Sequence, residues 1–286
     1  MAIDRPESRS TSDRALTIAD PDYPAALRDL RDAPGMVYVR GRVPPLERTA
    51  AIVGSRAASA YGRGVAARLA RDLSALGIAV VSGLARGIDA AAHLGALEVD
   101  GWTVAVLPGG LDAIAPRHHA LLAARIGERG GLLTEWASGP PVSRGVFVRR
   151  NRLIAALAAA VVVVEADEKS GALSTAAAAR RLGRALLAVP GDIDRPTSAG
   201  CLQLLRGGAY LCACAADVIA RMPGGGTTPS ARVLAALRPE PSPVERLARS
   251  ADVPLPEALA LLLELQWAGA AEPCPGQRWR LRERSA

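Results

Sequence analysis

The strongest constraint on the fold is a regular alternation of short apolar segments with helical segments between residues 50 and 191. The apolar segments are 50–54, 78–83, 102–110, 132–135, 160–165 and 185–191. Segments that are apolar on both faces and separated by helices are typical of buried parallel strands. Because β-α-β crossovers are right-handed, the pattern predicts an α/β fold with a Rossmann-type, doubly wound, mostly parallel sheet.

The segments outside this alternation predict the domain organisation. Residues 1–20 are expected to be a flexible leader, and 21–220 to form the Rossmann-type domain. Residues 221–230, which are rich in Gly, Pro, Ser and Thr, predict a linker. In 231–286, three helical segments precede an alternating tail that contains Trp279 and Leu281, a pattern typical of a small winged-helix domain.

Composition excludes several classes of protein. Of the 286 residues, 50% are hydrophobic, which is ample material for a core. The longest apolar stretch, Leu153–Val164, is shorter than the roughly 20 residues that span a bilayer, so we expect no membrane association. The N-terminus has no apolar signal segment, so a cytoplasmic location is expected. The four cysteines form no C-x-x-C pair, so we predict neither a metal site nor a disulfide framework.

The positive charge of the chain lies mainly in its middle. The net charge is +7, and Lys169 is the only lysine. Residues 50–219 carry 18 basic and 13 acidic residues, whereas 231–286 carry eight arginines and seven acidic residues. This moderate excess indicates an anionic partner for the middle of the chain, although many proteins without such a partner carry as much.

Small residues follow several of the predicted strands. They form Gly54-Ser55-Arg56, the segment 82–87 with Arg86, Pro108-Gly109-Gly110, and the segment 170–175 with Ser170, Gly171 and Thr175. In an open parallel sheet, ligands bind beyond the carboxyl ends of the strands. Small residues let backbone N–H groups approach an anion, and helix N-termini favour negative charge. Glycine turns are routine in α/β proteins, but the convergence of these loops predicts a site for a polyanion or a nucleotide.

The most basic segment is Phe147-Val148-Arg149-Arg150-Asn151-Arg152, which follows Arg144. It places four arginines and no acidic residue within nine positions, beside the only Phe of the chain. Arginines neutralise phosphates and an aromatic ring stacks on a base, which is how proteins grip single strands. The alternative is a solvated first turn of a helix. Basic residues there oppose the helix dipole, however, unless an anion compensates them.

The motifs give little support to an enzyme. The sequence has no G-x-x-x-x-G-K-[ST] segment for ATP, and the strict G-x-G-x-x-G of dinucleotide-binding enzymes is missing after the first predicted strand. Asp89 and His93 lie four residues apart on one predicted helix, where a structural hydrogen bond is expected over a catalytic pair. Glu165 ends the fifth predicted strand, as a magnesium-binding acid does, but no ATP motif accompanies it. We therefore predict no catalytic activity and no cofactor.

Taken together, these motifs resemble the DNA-processing protein A family (DprA, also called Smf) over about residues 20–220. The resemblance rests on the Gly54-Ser55-Arg56 loop, SGLARGIDAAAHLGAL at 82–97, Gly110-Leu111-Asp112 with Pro116, the Phe-x-x-Arg-Asn-Arg element at 147–152, SGALSTA at 170–176 and AVPG at 188–191. The sequence departs from the usual family pattern at Ala115, His119, Val148, Ala172 and Leu202. These departures are expected to make the rim of the pocket less polar.

The resemblance implies an extended Rossmann fold with a small C-terminal winged-helix domain. Members of the family bind single-stranded DNA, protect it and load the RecA recombinase onto it during natural transformation, and they typically form homodimers. The DNA-binding residues that the resemblance implies are Gly54, Ser55, Arg56, Phe147, Arg149, Arg150, Asn151 and Arg152, with further phosphate contacts from Ser170, Gly171 and Thr175. We add Arg86 from the loop after the second predicted strand. The nearly neutral winged helix is expected to contact protein or to help self-association.

Two alternatives stay open. The sheet also resembles the LOG-type phosphoribohydrolases, which cleave nucleoside monophosphates. Here, however, Leu111-Asp112-Ala113 follows Pro108-Gly109-Gly110, so the Gly-Thr and the catalytic Glu of that family are missing. The second alternative is a regulator whose winged helix binds duplex DNA. The nearly neutral charge of 231–286 disfavours it, because duplex binding depends on phosphate neutralisation.

Overall fold

The computed structural model describes residues 12–139, 143–223, 229–267 and 269–282, without the side chains of Arg144 and Ala231. The chain divides into two compact units between Ala213 and Cys214. In the described ranges, no helix is both long enough and apolar enough to cross a bilayer.

The first unit is built on one large sheet. The described residues contribute nine strands: β1 (Arg14–Thr17), β2 (Met36–Gly41), β3 (Thr49–Gly54), β4 (Ala79–Ser82), β5 (Thr103–Val106), β6 (Gly131–Thr134), β7 (Ala160–Val164), β8 (Ala185–Ala188) and β9 (Tyr210–Leu211). Their spatial order is β1-β2-β6-β5-β4-β3-β7-β8-β9. In this spatial order, every neighbouring pair from β6 to β9, which includes β5, β4, β3, β7 and β8, is parallel. The strand β2 pairs antiparallel with β6, and β1 pairs antiparallel with β2. The predicted mostly parallel sheet is therefore confirmed.

Helices separate the parallel strands. They are α1 (Ala60–Ala75), α2 (Ile88–Leu97), α3 (Ala120–Arg129), α4 (Arg144–Ala156), α5 (Ala172–Arg181) and α6 (Pro196–Arg206). From β3 the chain passes through α1 to the neighbouring strand β4. From β7 it passes through α5 to β8, which lies in the opposite direction along the sheet. The winding direction therefore switches between the neighbouring strands β3 and β7, and doubly wound sheets bind ligands beyond the carboxyl ends of such strands.

The central strands form the core because helices cover both of their faces. All five residues of β7 are fully buried, and so are Ala50, Ala51 and Ile52 of β3. Burial of a Val or Ile side chain contributes about 1.5–3 kcal/mol. The core thus holds the strand ends, and the loops that follow them, in a fixed arrangement.

The N-terminal segment differs from the prediction of a leader over 1–20. Residues 14–17 form β1, which pairs with β2 in the register Arg14↔Val39. Leu16 is buried in the core together with Tyr23, and the Asp20 carboxylate accepts hydrogen bonds from the backbone N–H and the hydroxyl of Thr17. A strand of four residues with one buried side chain carries too little periodicity to be recognised in the sequence. The leader prediction for 1–11 lies outside the described residues.

The second unit has the element order of a winged helix. It contains α7 (Ala215–Ile219), α8 (Pro229–Ala236), β10 (Ser242–Pro243), α9 (Val244–Ala251), α10 (Leu255–Trp267), β11 (Ala271–Cys274) and β12 (Arg278–Leu281). The strands form a small antiparallel sheet in the order β10-β12-β11. The helices α8, α9 and α10 and the β11–β12 hairpin confirm the predicted three helices and hairpin, and α7 precedes them.

The boundary between the units lies earlier in the chain than the predicted linker. The division falls after Ala213 because α7 packs against α8 of the second unit. The helix α8 already begins at Pro229, within the predicted linker 221–230. Residues 224–228 of that linker lie outside the described residues.

A buried guanidinium joins the carboxyl ends of two central strands. Arg150, on α4, has only 3% of its surface exposed. Its Nη1 donates hydrogen bonds to the carbonyl oxygen of Gly83 at 2.6 Å and to that of Val106, and its Nε donates to Asn151 Oδ1 at 3.1 Å. A Cβ atom at Gly83 would lie 2.5 Å from the guanidinium nitrogens, so a larger residue there would displace the guanidinium from its present position. Arg150 therefore acts inside the protein rather than at its surface, where the sequence had suggested a phosphate contact.

Asp89 shares the buried environment of Arg150. Burial raises the pKa of the Asp89 carboxyl, and the charge of Arg150 opposes that rise. Burial also lowers the pKa of Arg150 to about 10, although the charge of Asp89 counters this effect. The two groups therefore stabilise each other's charged form beneath the loops that follow β4 and β5.

We predict that Arg150→Met destabilises the protein by about 3 kcal/mol, because the carbonyls of Gly83 and Val106 lose their donor and Asp89 loses a compensating charge. The raised pKa of Asp89 means that stability falls as pH rises from the ordinary aspartate value of about 3.9 towards the folded-state value. Without Arg150 that folded-state value is higher still. The loss measured by urea unfolding should therefore be larger near about pH 7 than near about pH 4, close to the ordinary aspartate value.

Arg149→Met is the matched control, because Arg149 is the exposed neighbour on the same helix. It should change the free energy of unfolding by no more than about 0.5 kcal/mol. Equal stabilities of the two variants at both pH values would contradict the structural role of Arg150.

Candidate nucleic-acid interface

The loop after β3 is held at the point where the winding of the sheet switches. The backbone N–H of Ser55 donates to the carbonyl oxygen of Glu165 at 2.8 Å, and that of Ile88 donates to the Ser55 carbonyl at 3.2 Å. Gly87 has a φ of +79°, and a Cβ atom there would lie 2.2 Å from the Ser55 carbonyl oxygen. Glycine is therefore required at position 87 for this close approach. These contacts fix the backbone of Gly54-Ser55-Arg56.

Arg56 and Phe147 form an exposed cation–π pair at this edge. The Arg56 Cζ lies 4.9 Å from the centroid of the Phe147 ring. Arg56 is exposed and Phe147 is half-buried. The fold brings the two residues together although they lie far apart in the sequence. The pair offers an aromatic face for a base next to a positive charge for a phosphate. We call it the Arg56–Phe147 platform.

The arginines of α4 face in different directions. Arg149 keeps 59% of its side chain exposed, and its Nε lies 3.4 Å from Glu135 Oε1. Arg152 is buried, and its guanidinium pairs with Asp32 at 2.7 Å and with Glu135 at 2.9 Å. Arg152, like Arg150, therefore makes its described contacts within the protein, and a contact of either residue with DNA stays a prediction. Only distant residues, such as Asp32 and Glu135, reveal this difference, and the local sequence carries no sign of it.

The residues of the turn that opens α5 also differ in their exposure to solvent. Asn151 Nδ2 donates to the Gly171 carbonyl at 3.1 Å and to Ser174 Oγ at 2.9 Å, so the side chain of Asn151 holds the turn from below. Thr175 is 1% exposed and belongs to the core, whereas Gly171 is exposed and Ser170 is half-buried. Lys169, which the sequence analysis did not assign to the site, is an exposed cation directly before this turn.

A carboxylate occupies the N-terminus of α1. Glu165, with a φ of +52°, accepts hydrogen bonds from the backbone N–H of Ser59 at 2.8 Å and from the Ser59 hydroxyl. The Ser59 hydroxyl oxygen in turn accepts from the Gly62 N–H at 3.0 Å. In nucleotide-binding Rossmann folds this helix N-terminus receives a phosphate. Here a phosphate would meet the carboxylate of Glu165, so this helix N-terminus disfavours an anion. The sequence suggests Glu165 only as a magnesium-binding acid and gives no local sign of this contact with Ser59.

The rim carries exposed cations on the loops after β3 and β4 and on α4. Arg56, Arg86 and Arg149 are exposed there, whereas Lys169 directly follows the exposed carboxylates of Asp167 and Glu168. The acids beneath the arginines are engaged. Glu135 pairs with Arg152 and Glu165 with Ser59, while Asp89 Oδ2 accepts from the Ala85 N–H at 3.3 Å. The arginines therefore offer a polyanion its attractive contacts, and the segment 167–169 adds no net positive charge to them.

Comparison with known families supports a specific relationship. Residues 14–223 match the family model of DNA recombination-mediator protein A, and residues 220–277 match that of the DprA winged helix domain. Protein Smf of Escherichia coli is 38% identical over 281 residues, which cover 91% of this chain and 75% of that protein. A DNA processing protein DprA of Mycobacterium tuberculosis is 50% identical over 172 residues, covering 60% of this chain. That alignment covers only 44% of the mycobacterial protein, so the chain matches less than half of that relative's length.

Solved structures show the same relationship. The crystal structure of DNA processing protein A from Streptococcus pneumoniae matches with a TM-score of 0.68 and 36% identity, over 73% of this chain and 74% of that chain. The structure of DNA processing protein A from Helicobacter pylori, which was described for its mode of binding single-stranded DNA, matches with a TM-score of 0.62 and 32% identity, over 69% of this chain and 90% of that chain. The family expected from the motifs is thus confirmed, and the chain belongs to the DNA recombination-mediator protein A family.

Proposed function

We propose that this protein is a single-stranded DNA-binding recombination mediator, which protects single strands and loads RecA onto them during DNA uptake and natural transformation. The observation that carries the proposal is the Arg56–Phe147 platform, with exposed cations around it. The description of the H. pylori relative as a single-stranded DNA-binding protein supports the same function.

In this proposal the rim binds a single strand through two kinds of contact. An unpaired base stacks on the Phe147 ring, while Arg56 and Arg149 neutralise the neighbouring phosphates. The exposed turn at Ser170 and Gly171 offers further contacts to a phosphate. A duplex cannot use the ring in this way because its bases are already stacked and paired. The arrangement therefore favours single strands over duplexes.

The residues of the proposed site fall into two groups by burial. The contact group lies at the rim and consists of Gly54, Arg56, Arg86, Phe147, Arg149, Ser170 and Gly171. The positioning group is buried and holds the rim in place. It consists of Ser55, Arg150, Asn151, Arg152 and Thr175. This division keeps all the residues expected from the family and gives five of them an indirect role.

We further propose that the protein forms a homodimer, that RecA is its protein partner, and that it therefore acts in the cytoplasm. Membership of the family supports the partner. Tyr210 and Leu211, which lie exposed on β9 at one edge of the sheet, support self-association, because an edge strand with apolar side chains can pair with a second copy.

The proposal assigns no catalytic step. Burial lowers the pKa of His93 to about 3, and its Nδ1 lies 2.7 Å from the Thr103 hydroxyl, so this imidazole is unsuited to proton transfer near neutral pH. A phosphoribohydrolase is further disfavoured by Glu165 at the N-terminus of α1. Incubation with nucleoside monophosphates should therefore release no free base, and release that is abolished by a rim substitution would contradict the proposal.

The winged helix is proposed to contact protein rather than duplex DNA. The exposed residues of α10 include Leu255, Leu259, Leu263 and Trp267, and its charged residues are Glu257 and Glu264. A helix that enters the major groove needs donors for bases and cations for phosphates. The side chains of α10 offer an apolar and acidic surface instead.

We predict that Arg56→Ala and Phe147→Ala each weaken the binding of an oligothymidylate to the full chain. Loss of base stacking costs about 1–3 kcal/mol, which corresponds to roughly a 5- to 150-fold loss of affinity for Phe147→Ala. Arg56→Ala should also reduce the slope of log affinity against log salt concentration by about 0.7, the contribution of one neutralised phosphate. Fluorescence anisotropy over a salt series measures both quantities.

Arg181→Ala is the control for charge. Arg181 is an exposed arginine at the C-terminal end of α5, near the amino ends of the strands and therefore away from the proposed site. It should leave the affinity and the salt slope almost unchanged. If all three variants behaved alike, the rim would not be the binding site.

A competition between single-stranded and duplex DNA of the same sequence tests the role of the winged helix. At about 0.15 M salt, the full chain should prefer the single strand. The double substitution Arg246→Ala/Arg249→Ala on α9 should leave that binding unchanged. A preference for duplex DNA that this double substitution removes would support the regulator alternative.

A further inference from the structure

We infer that the single-stranded DNA site extends beyond the Arg56–Phe147 platform to a second phosphate subsite at the turn of Arg117, His118 and His119. The inference deepens the proposed function and rests on it. The ligand is the phosphodiester backbone of the same strand, and the subsite would add length-dependent affinity.

The order of the strands places one exposed arginine after each of three neighbouring strands. Arg56 follows β3, Arg86 follows β4, and Arg117 lies in the connection that follows β5. These strands are adjacent and parallel, so their carboxyl ends lie along one edge. Neighbouring strands are about 4.8 Å apart, so the row spans roughly 10 Å at the level of the sheet. An extended single strand can follow such a row.

Direct contacts hold the turn of Arg117 against the loop of Arg86. His119 Nδ1 lies 2.8 Å from the Leu84 carbonyl oxygen, at hydrogen-bond distance. Leu84 has a φ of +57°, is fully buried, and packs in the same apolar cluster as Leu111, which precedes the turn. These contacts therefore hold the two basic loops together.

The charge of these two loops is not neutralised locally. Neither Arg86 nor Arg117 makes an ion pair with another residue in the described part of the chain. The nearest acids in sequence are engaged elsewhere. Asp112 accepts from the Gly139 N–H at 2.9 Å, and Asp89 is buried. Two exposed arginines on loops that contact each other, without ion-pair partners among the described residues, suit a polyanion that continues from the platform.

The test compares a thymidine dinucleotide, as the short strand, with an oligothymidylate of about 20 nucleotides on the full chain. The dinucleotide has a single internucleotide phosphate and reaches only the platform, whereas the long strand also covers the turn. Arg117→Ala should weaken binding of the long strand by about three- to tenfold and reduce its salt slope by about 0.7. It should leave binding of the short strand unchanged. Arg117→Lys, which retains the charge, should restore most of the slope.

Arg181→Ala again serves as the control, and Arg56→Ala serves as a reference that weakens binding of both strands. If Arg117→Ala matched Arg181→Ala on the long strand while Arg56→Ala still weakened binding, the subsite would be wrong and the proposed function would stand. If the wild-type chain showed no preference for single strands, both would fall. Weakening of the short strand by Arg117→Ala to the same degree as the long one would also overturn a separate subsite.

Discussion

The carboxyl edge of the sheet depends on the buried guanidinium of Arg150. Parallel strands end in carbonyl groups that need donors, and those of Gly83 and Val106 would otherwise lie unpaired in the protein interior. Arg150 supplies both donors from α4, and its charge is compensated in part by the buried carboxyl of Asp89. The same helix carries Phe147 and Arg149, so the interaction that closes the strand ends also orients the exposed side chains of the rim. The orientation of α4 therefore both buries the guanidinium of Arg150 and presents Phe147 and Arg149 at the surface.

A second carboxylate decides where an anion can bind. The switch between β3 and β7 creates the crevice that many Rossmann folds use for a nucleotide phosphate. In this chain Glu165 bonds to Ser59 at the N-terminus of α1 and occupies that position. Exposed positive charge lies farther out, where Arg56 stacks on Phe147. Exposed side chains of this kind suit an extended strand better than a small molecule that needs an enclosed crevice.

Much of this arrangement could be predicted from the sequence, because it follows from patterns that are local or periodic. The alternation of apolar and helical segments predicts the parallel sheet, and the sheet brings Gly54-Ser55-Arg56 to the same edge as the segment that contains Phe147. The directions of the individual arginines could not be predicted in this way. Arg152 is buried because Asp32 and Glu135, which are distant in sequence, pair with it. The short strand β1 escaped recognition for a similar reason, since only Leu16 of its residues enters the core.

The central claim is that a base of the single strand stacks on Phe147 at the carboxyl edge. Photo-crosslinking of a single strand that carries 5-iodouracil, followed by mass spectrometry of the crosslinked peptides, tests it most directly. The account predicts that the principal crosslink falls on Phe147, and that it disappears in Phe147→Leu while Arg181→Ala retains it. Crosslinks confined to α10 or to the β11–β12 hairpin of the winged helix would contradict the account.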